Sequence, residues 1–147
     1  MGKDYSYGIC PYRIKDNKVQ IMLVQATGHK EWGFIKGKID KGESIPECAK
    51  RECQEETNIR FDINNLEDYF YQVNTKKNIG IFLINIEKLD TSRLKLARRE
   101  LQDYRFFNIK DNIFISKNQQ KILNSIKEKF IFRGILSPEI YLSCSNY

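Results

Sequence analysis

Histidine is nearly missing from this chain: His29, in "ATGHKEW", is the single one. That excludes any site built on two imidazoles, and His29 itself reads as a loop residue. Paired cysteines are missing too. Cys10, Cys48, Cys53 and Cys144 form no C-x-x-C pair, and they read as reduced thiols of a cytosolic protein. No apolar run approaches the ~20 residues of a membrane-spanning helix. "MGKDYSYGICPYRIKDNK" lacks the basic-then-apolar order of a signal peptide, so the expected location is the cytoplasm, with no membrane partner. Gly2 after Met1 is a weak myristoylation match, set aside because charged residues follow soon after. Repeats, low-complexity stretches and linkers are also absent.

What is present suits one folded domain over residues 1–147. The 147 residues are 41% hydrophobic and 30% charged, globular values that exclude wholesale disorder. The net charge is +6 and the pI near 9.1. Such a balance favours polyanionic partners such as nucleotides, RNA or inositol phosphates, although a Lys-rich soluble surface gives the same totals.

Periodicity divides the chain into strands and two helices. "YSYGICPYRI" (5–14) and "VQIMLVQA" (19–26) read as strands joined by the polar turn "KDNK", with Pro11 expected at an edge or bulge. "EWGFI" is a short strand candidate, and the Gly- and Lys-rich "KGKIDKGE" is expected to be a loop. Ser44 and Glu47 have capping-box spacing and Pro46 suits a first turn, which predicts a helix over about 45–57. "LEDYFYQV" (66–73), "IGIFLINI" (79–86) and "YRFFNI" (104–109) read as further strands. "SKNQQKILNSIKEKF" (116–130) places Ile122, Leu123, Ile126 and Phe130 on one helical face. The expected fold class is α/β, a mixed sheet sandwiched between helices.

Negative charge is concentrated in one place. On the 45–57 helix, Glu52, Glu55 and Glu56 are related by i, i+3 and i+4, so their carboxylates share a face and repel. A solvated acidic face is one reading. A hard divalent cation with oxygen ligands, such as Mg2+, is the other.

The surroundings favour the second. Gly37, Glu43, Arg51, Glu52, Glu55 and Glu56 resemble the Nudix-hydrolase box, G-x5-E-x7-R-E-U-x-E-E-x-G-U with U a bulky aliphatic residue, over residues 37–59. Two positions depart from it. Cys53 stands at the first U, where a buried cysteine behaves as a small hydrophobe. Asn58 replaces the closing Gly, and Asn is the next best residue in a left-handed conformation. The resemblance implies a loop–helix–loop that binds Mg2+ or Mn2+ and hydrolyses a diphosphate linkage in a nucleoside diphosphate attached to another group. It implies Glu52, Glu55 and Glu56 as metal ligands together with the Gly37 carbonyl. Glu43 and Arg51 would steady the loop against the helix.

A narrower resemblance extends outward. "EWGFIKGKIDKGES" and "CAKREC" are similar to the catalytic domain of the mRNA-decapping Nudix enzymes, with Ile35 at the place of a proline. "RRELQDYRFF" resembles their downstream pattern N-E-I-x-x-I-E-W-F. That match puts Glu100 at a proposed general-base position, with Phe106 in place of a Trp; a box glutamate, Glu55, is the other candidate for the base. It covers roughly residues 20–110. The helical regulatory domain of eukaryotic decapping enzymes is expected to be absent, since the first strand starts almost at Met1.

Other residues keep two readings. Lys36 and Lys38 flank Gly37 and are candidates for phosphate contact or ordinary loop solubility. Trp32 is a core residue or a base-stacking platform. Glu100 is a base or an ion-pair partner of Arg98 and Arg99. "SRLKLARR" (92–99) is an RNA-backbone patch or a solvated loop. The expected activity is pyrophosphohydrolysis of a capped or triphosphorylated RNA 5′ end. Its rivals are a diadenosine-tetraphosphate-type hydrolase and a silent nucleotide- or RNA-binding domain; the latter is disfavoured because every box glutamate is present. The apolar tail "FRGILSPEIYLSCSNY" yields no role.

Overall fold

In a computed structural model of the chain, residues 2–132 are described. Most of the sequence-predicted tail, residues 133–147 with Cys144, therefore lies outside the described residues. The described chain forms one seven-stranded mixed sheet with a helix on each face.

β1 (Asp4–Lys15) and β2 (Lys18–Ala26) form a hairpin whose two turn residues, Asp16 and Asn17, have φ of 53° and 61°. Asn and Asp tolerate that left-handed geometry, which matches the twist of the flanking strands. β3 (Trp32–Gly33) pairs with β2, and β4 (Ile35–Lys38) pairs antiparallel with Ser6–Ile9 of β1. β6 (Lys77–Asn85) runs parallel to β1 and carries β5 (Tyr69–Gln72) on its outer side. β7 (Leu101–Asn108) pairs antiparallel with β2.

α1 (Ile45–Thr57) has the expected bounds. Ser44 caps it in a reciprocal capping box with Glu47, and Asn58 closes it in the left-handed region at φ 55°. The buried Ala49 and Cys53 press this helix onto Ile9, Met22, Val24 and Ile35 of the sheet. Cys53 is thus an apolar residue in practice, and burial pushes its thiol up to about 12. On the opposite face α2 (Gln120–Phe132) buries Ile122, Leu123, Ile126 and Phe130 against Cys10, Ile21, Leu23, Ile81 and Leu83. Cys10, Cys48 and Cys53 are all buried free thiols.

Five expectations need correction. Pro11 lies inside the sheet, where it registers with Ile84 of β6. On its other flank β1 passes from β4 (up to Ile9) to β2 (from Tyr12), so no antiparallel partner is registered at Pro11, and its missing N–H is tolerated there. Lys36, Gly37 and Lys38 belong to β4 instead of a loop, because β1 supplies a pairing edge that local sequence does not reveal. The 66–73 strand shortens to Tyr69–Gln72, while the 104–109 strand begins earlier, at Leu101. The second helix opens with a 3-10 turn, Lys117–Gln119, before α2 proper.

Candidate active site

Three elements meet where the acidic face of α1 emerges from the sheet: β4, α1 and the loop before β7. Gly37 of β4 sits under α1 so closely that a Cβ there would lie 2.0 Å from the Glu52 carboxylate. A side chain at this position would displace the Glu52 carboxylate, so glycine lets that carboxylate lie directly against β4. Its carbonyl accepts a long bond from the Cys48 thiol, 3.5 Å.

Arg51 organises the loop. Its guanidinium donates to both Glu43 oxygens at 2.7 and 2.9 Å and to the Lys38 carbonyl at 2.9 Å. It also reaches Glu52 at 2.9 Å and Glu55 at 3.1 Å. Glu43 is held below the ordinary carboxylate range by Arg51. The sequence-predicted Glu43–Arg51 pair is thus one arm of a wider network.

Glu56 behaves differently. Its carboxylate has no hydrogen-bond or ion-pair partner among the described residues, and burial pushes it up to about 8. Glu52 raises it further, Lys36 opposes, and Glu100 and Glu55 add smaller increments in the same direction as Glu52. Glu52 is also raised, chiefly by burial, with Arg51 opposing. No three His, Cys, Asp or Glu side chains among the described residues form a ready-made cluster for a metal ion. Glu52 and Glu55 turn toward Arg51, their nearest counter-charge. The donor set still fits a hard cation. It is all oxygen, and it includes a half-buried carboxylate whose charge nothing among its hydrogen bonds neutralises.

Glu100 arrives from a later segment of the chain, outside α1 and β4. The loop before β7 is laced to the end of α1: Ala97 N–H donates to the Glu56 carbonyl at 2.8 Å and Lys95 N–H to the Thr57 carbonyl at 2.9 Å. The Asn58 side-chain amide donates to the Arg93 carbonyl at 3.0 Å. The two backbone bonds satisfy helix-end carbonyls that no basic residue of the last turn covers, and the Asn58 amide satisfies a carbonyl of the loop. A turn then closes from Glu100 N–H to the Ala97 carbonyl at 2.8 Å. Glu100 is exposed and forms no ion pair with Arg98 or Arg99; Arg98 instead donates to the Gln102 carbonyl at 2.8 Å. "SRLKLARR" is accordingly an anchored loop with Leu96 buried.

The result is a cleft of about 680 Å3 lined by Gly37, Lys38, Glu52, Glu55, Glu56 and Glu100, with Ala97, Arg98 and Arg99 on its rim. A second cleft of about 650 Å3 shares Gly37, Lys38, Glu56 and Glu100 with it. Lys36 and Trp32 line this second cleft. Trp32 is 8% exposed and packs edge-on to Phe107, which makes it mainly a core residue. Lys38 is exposed and pairs with Asp4 at 3.2 Å. His29 is exposed, against Glu31. Lys77, on β6, also lines the second cleft. Sequence reading missed it, since nothing local distinguishes it from any other strand-end lysine.

Comparison with known proteins accords with this geometry. The NUDIX domain family model matches residues 5–132. The chain is 34% identical over 102 residues to "mRNA decapping complex subunit 2" of Schizosaccharomyces pombe, covering 67% of this chain and 13% of that protein. It is 35% identical over 109 residues to the "m7GpppN-mRNA hydrolase" of Saccharomyces cerevisiae, covering 72% of this chain and 11% of that one. The chain thus spans a small fraction of those relatives. A C. elegans Ap4A hydrolase structure, determined as a binary complex, superposes with a TM-score of 0.63 at 22% identity, covering 89% of this chain and 98% of that one; it shares the fold.

Proposed function

The chain belongs to the Nudix hydrolase family, and from that premise we propose that it is a divalent-metal pyrophosphohydrolase acting on capped or triphosphorylated RNA 5′ ends. One observation carries this reading: Glu52, Glu55 and Glu56 line the same cleft as Glu100, a carboxylate from a separate element. The decapping proteins among the relatives support the choice of RNA, as does the net charge of +6.

Glu52, Glu55, Glu56 and the Gly37 carbonyl would hold Mg2+ or Mn2+. Such an ion neutralises a diphosphate and makes water a better nucleophile. Glu100 stands outside the Arg51 network, exposed at the cleft, and takes the proton as water adds to phosphorus and the bridging P–O bond breaks. Arg51 and Glu43 keep the loop fixed against α1 while this happens. Lys36 and Lys38 meet the phosphate charge from β4.

The test is product analysis across capped RNA, triphosphorylated RNA, diadenosine tetraphosphate, ADP-ribose and diphosphoinositol phosphate. Capped or triphosphorylated RNA should be cleaved best, leaving a 5′-monophosphate. Brisk turnover of diadenosine tetraphosphate with inert RNA would transfer the assignment to the small-molecule reading.

A further inference from the structure

β7 departs from regular pairing just where it approaches the carboxylates. Asp103 stands opposite Gln25 and Leu101 opposite Ala26, so Gln102 is an extra residue, a β-bulge. Regular pairing would set Gln102 against Ala26 and the apolar Leu101 against Thr27. The bulge instead buries Leu101 in the core cluster that holds Val24, and it brings Glu100 to Thr27. There the Thr27 N–H donates to the Glu100 carbonyl at 3.0 Å, and the Thr27 hydroxyl donates to the Arg98 carbonyl at 2.9 Å. One residue thus holds two carbonyls of the turn that presents Glu100.

Thr27 is itself fixed. His29 N–H closes a turn onto the Ala26 carbonyl at 3.0 Å, with Gly28 at φ 83°, where the left-handed region favours glycine. The Gln102 side chain grips this turn. Its nitrogen donates to the Gln25 side chain at 2.8 Å and to the His29 carbonyl at 3.1 Å, and its oxygen accepts from Gly28 N–H at 3.1 Å. Gln25 adds a bond to the Lys30 carbonyl at 2.9 Å. Neither Thr27 nor Gln102 lines either cleft. The bonds from Lys95 and Ala97 fasten the Glu100 loop to α1, and Thr27 fastens it to the end of β2. Such a tie matters for an exposed side chain, since a misplacement of about 1 Å costs up to about 10²-fold in rate.

We propose that Thr27 is a positioning residue for Glu100, held in place by the Gln102 bulge, so that proton transfer depends on a threonine that lies outside both the box and the clefts. This rests on the reading of Glu100 as the base.

A double-mutant cycle provides the test, on whichever substrate of the product panel the wild type cleaves best. Thr27→Val keeps the side-chain shape and deletes the hydroxyl. It should lower kcat about fivefold, the scale of one lost hydrogen bond, with KM and Mg2+ affinity within about twofold of wild type. Thr27→Ser, which keeps the hydroxyl, should restore most of the rate. In a Glu100→Gln background Thr27→Val should cost nothing further, because no base is left to position. A loss that persists undiminished in that background would overturn the proposal, as would an unchanged kcat in Thr27→Val beside a damaged Glu100→Gln. Hydrogen exchange reads the tie without turnover: Thr27→Val should lower the protection of the Glu100 and Leu101 amides and leave the amides of α2 unchanged. Equal protection in the variant and the wild type would deny that Thr27 holds the turn. A silent Glu100→Gln is the separate failure of the base reading, and the positioning role falls with it.

Discussion

The backbone amide of Ala97 donates to the carbonyl of Glu56 at 2.8 Å. The loop that ends in Glu100 is thereby fastened to the turn of α1 that carries the half-buried carboxylate. The geometry of this cleft depends on a seam between residues some forty positions apart, and Asn58 contributes a side-chain stitch to it.

Asn58→Gly separates that stitch from helix capping. Glycine keeps the left-handed C-cap at φ 55° but removes the amide bound to Arg93. One neutral hydrogen bond is worth about 1 kcal/mol, so kcat should fall about fivefold. Mg2+ affinity should stay put, and the melting temperature should fall by only about a few degrees, because glycine's ease in the left-handed cap offsets part of the lost bond. Asn58→Ala, which strains the left-handed cap, should also lower the melting temperature. Identical kinetics in wild type and Asn58→Gly would deny the loop any positioning role.

Glu100→Gln tests the base. With a carboxamide at that position kcat should drop by about 10²–10⁴-fold, and the acid limb of the pH–rate profile should flatten. Mg2+ titration followed by calorimetry should give nearly the wild-type affinity. A variant that keeps both rate and profile reassigns proton transfer to a box glutamate, Glu55 foremost.

Glu56 links pH, metal and stability. Its folded value is raised to about 8 from an ordinary carboxylate value near 4.5, so between those limits the folded state binds more protons than the unfolded one. Metal-free stability should therefore fall as pH rises through that window. A divalent cation favours the charged carboxylate, so Mg2+ should raise the melting temperature more at about pH 8.5 than at about pH 6. Glu56→Gln should abolish that pH dependence and lower kcat by about 10²-fold or more. Mg2+ stabilisation that is the same in the variant and the wild type at both pH values would place the ion elsewhere.

RNA length and salt address the wider surface. Arg93, Lys95 and Arg99 are exposed beside the cleft loop, and Lys117 and Lys121 are exposed at the start of the α2 region. A capped RNA of about ten nucleotides should have a higher kcat/KM than a capped dinucleotide at low salt. Its advantage should shrink as salt rises, with a log–log slope of about −0.7 per phosphate contact. Equal values for the two substrates at low salt would confine recognition to the clefts.

Much of this molecule was legible residue by residue. The bounds of α1 follow from Ser44, Glu47, Pro46 and Asn58, all of which act within one helical turn of the backbone they cap. The shared face of Glu52, Glu55 and Glu56 follows from helical spacing, and the burial of Ile122, Leu123, Ile126 and Phe130 from the same periodicity. These are local properties, decided over distances shorter than one element. Strand pairing is not local. That Pro11 sits where β1 changes neighbours, that Gly37 lies in a strand, and that Lys77 joins Lys36 across β1 all depend on which strands meet. The wider reach of Arg51, to Glu52, Glu55 and the Lys38 carbonyl, likewise needed the folded loop. Sequence named Glu100 through a resemblance, but the backbone bonds from the 93–97 loop to the end of α1 are what bring it to the carboxylates. Those bonds form because the last carbonyls of a helix must find donors from outside it, and only the folded chain decides which segment supplies them.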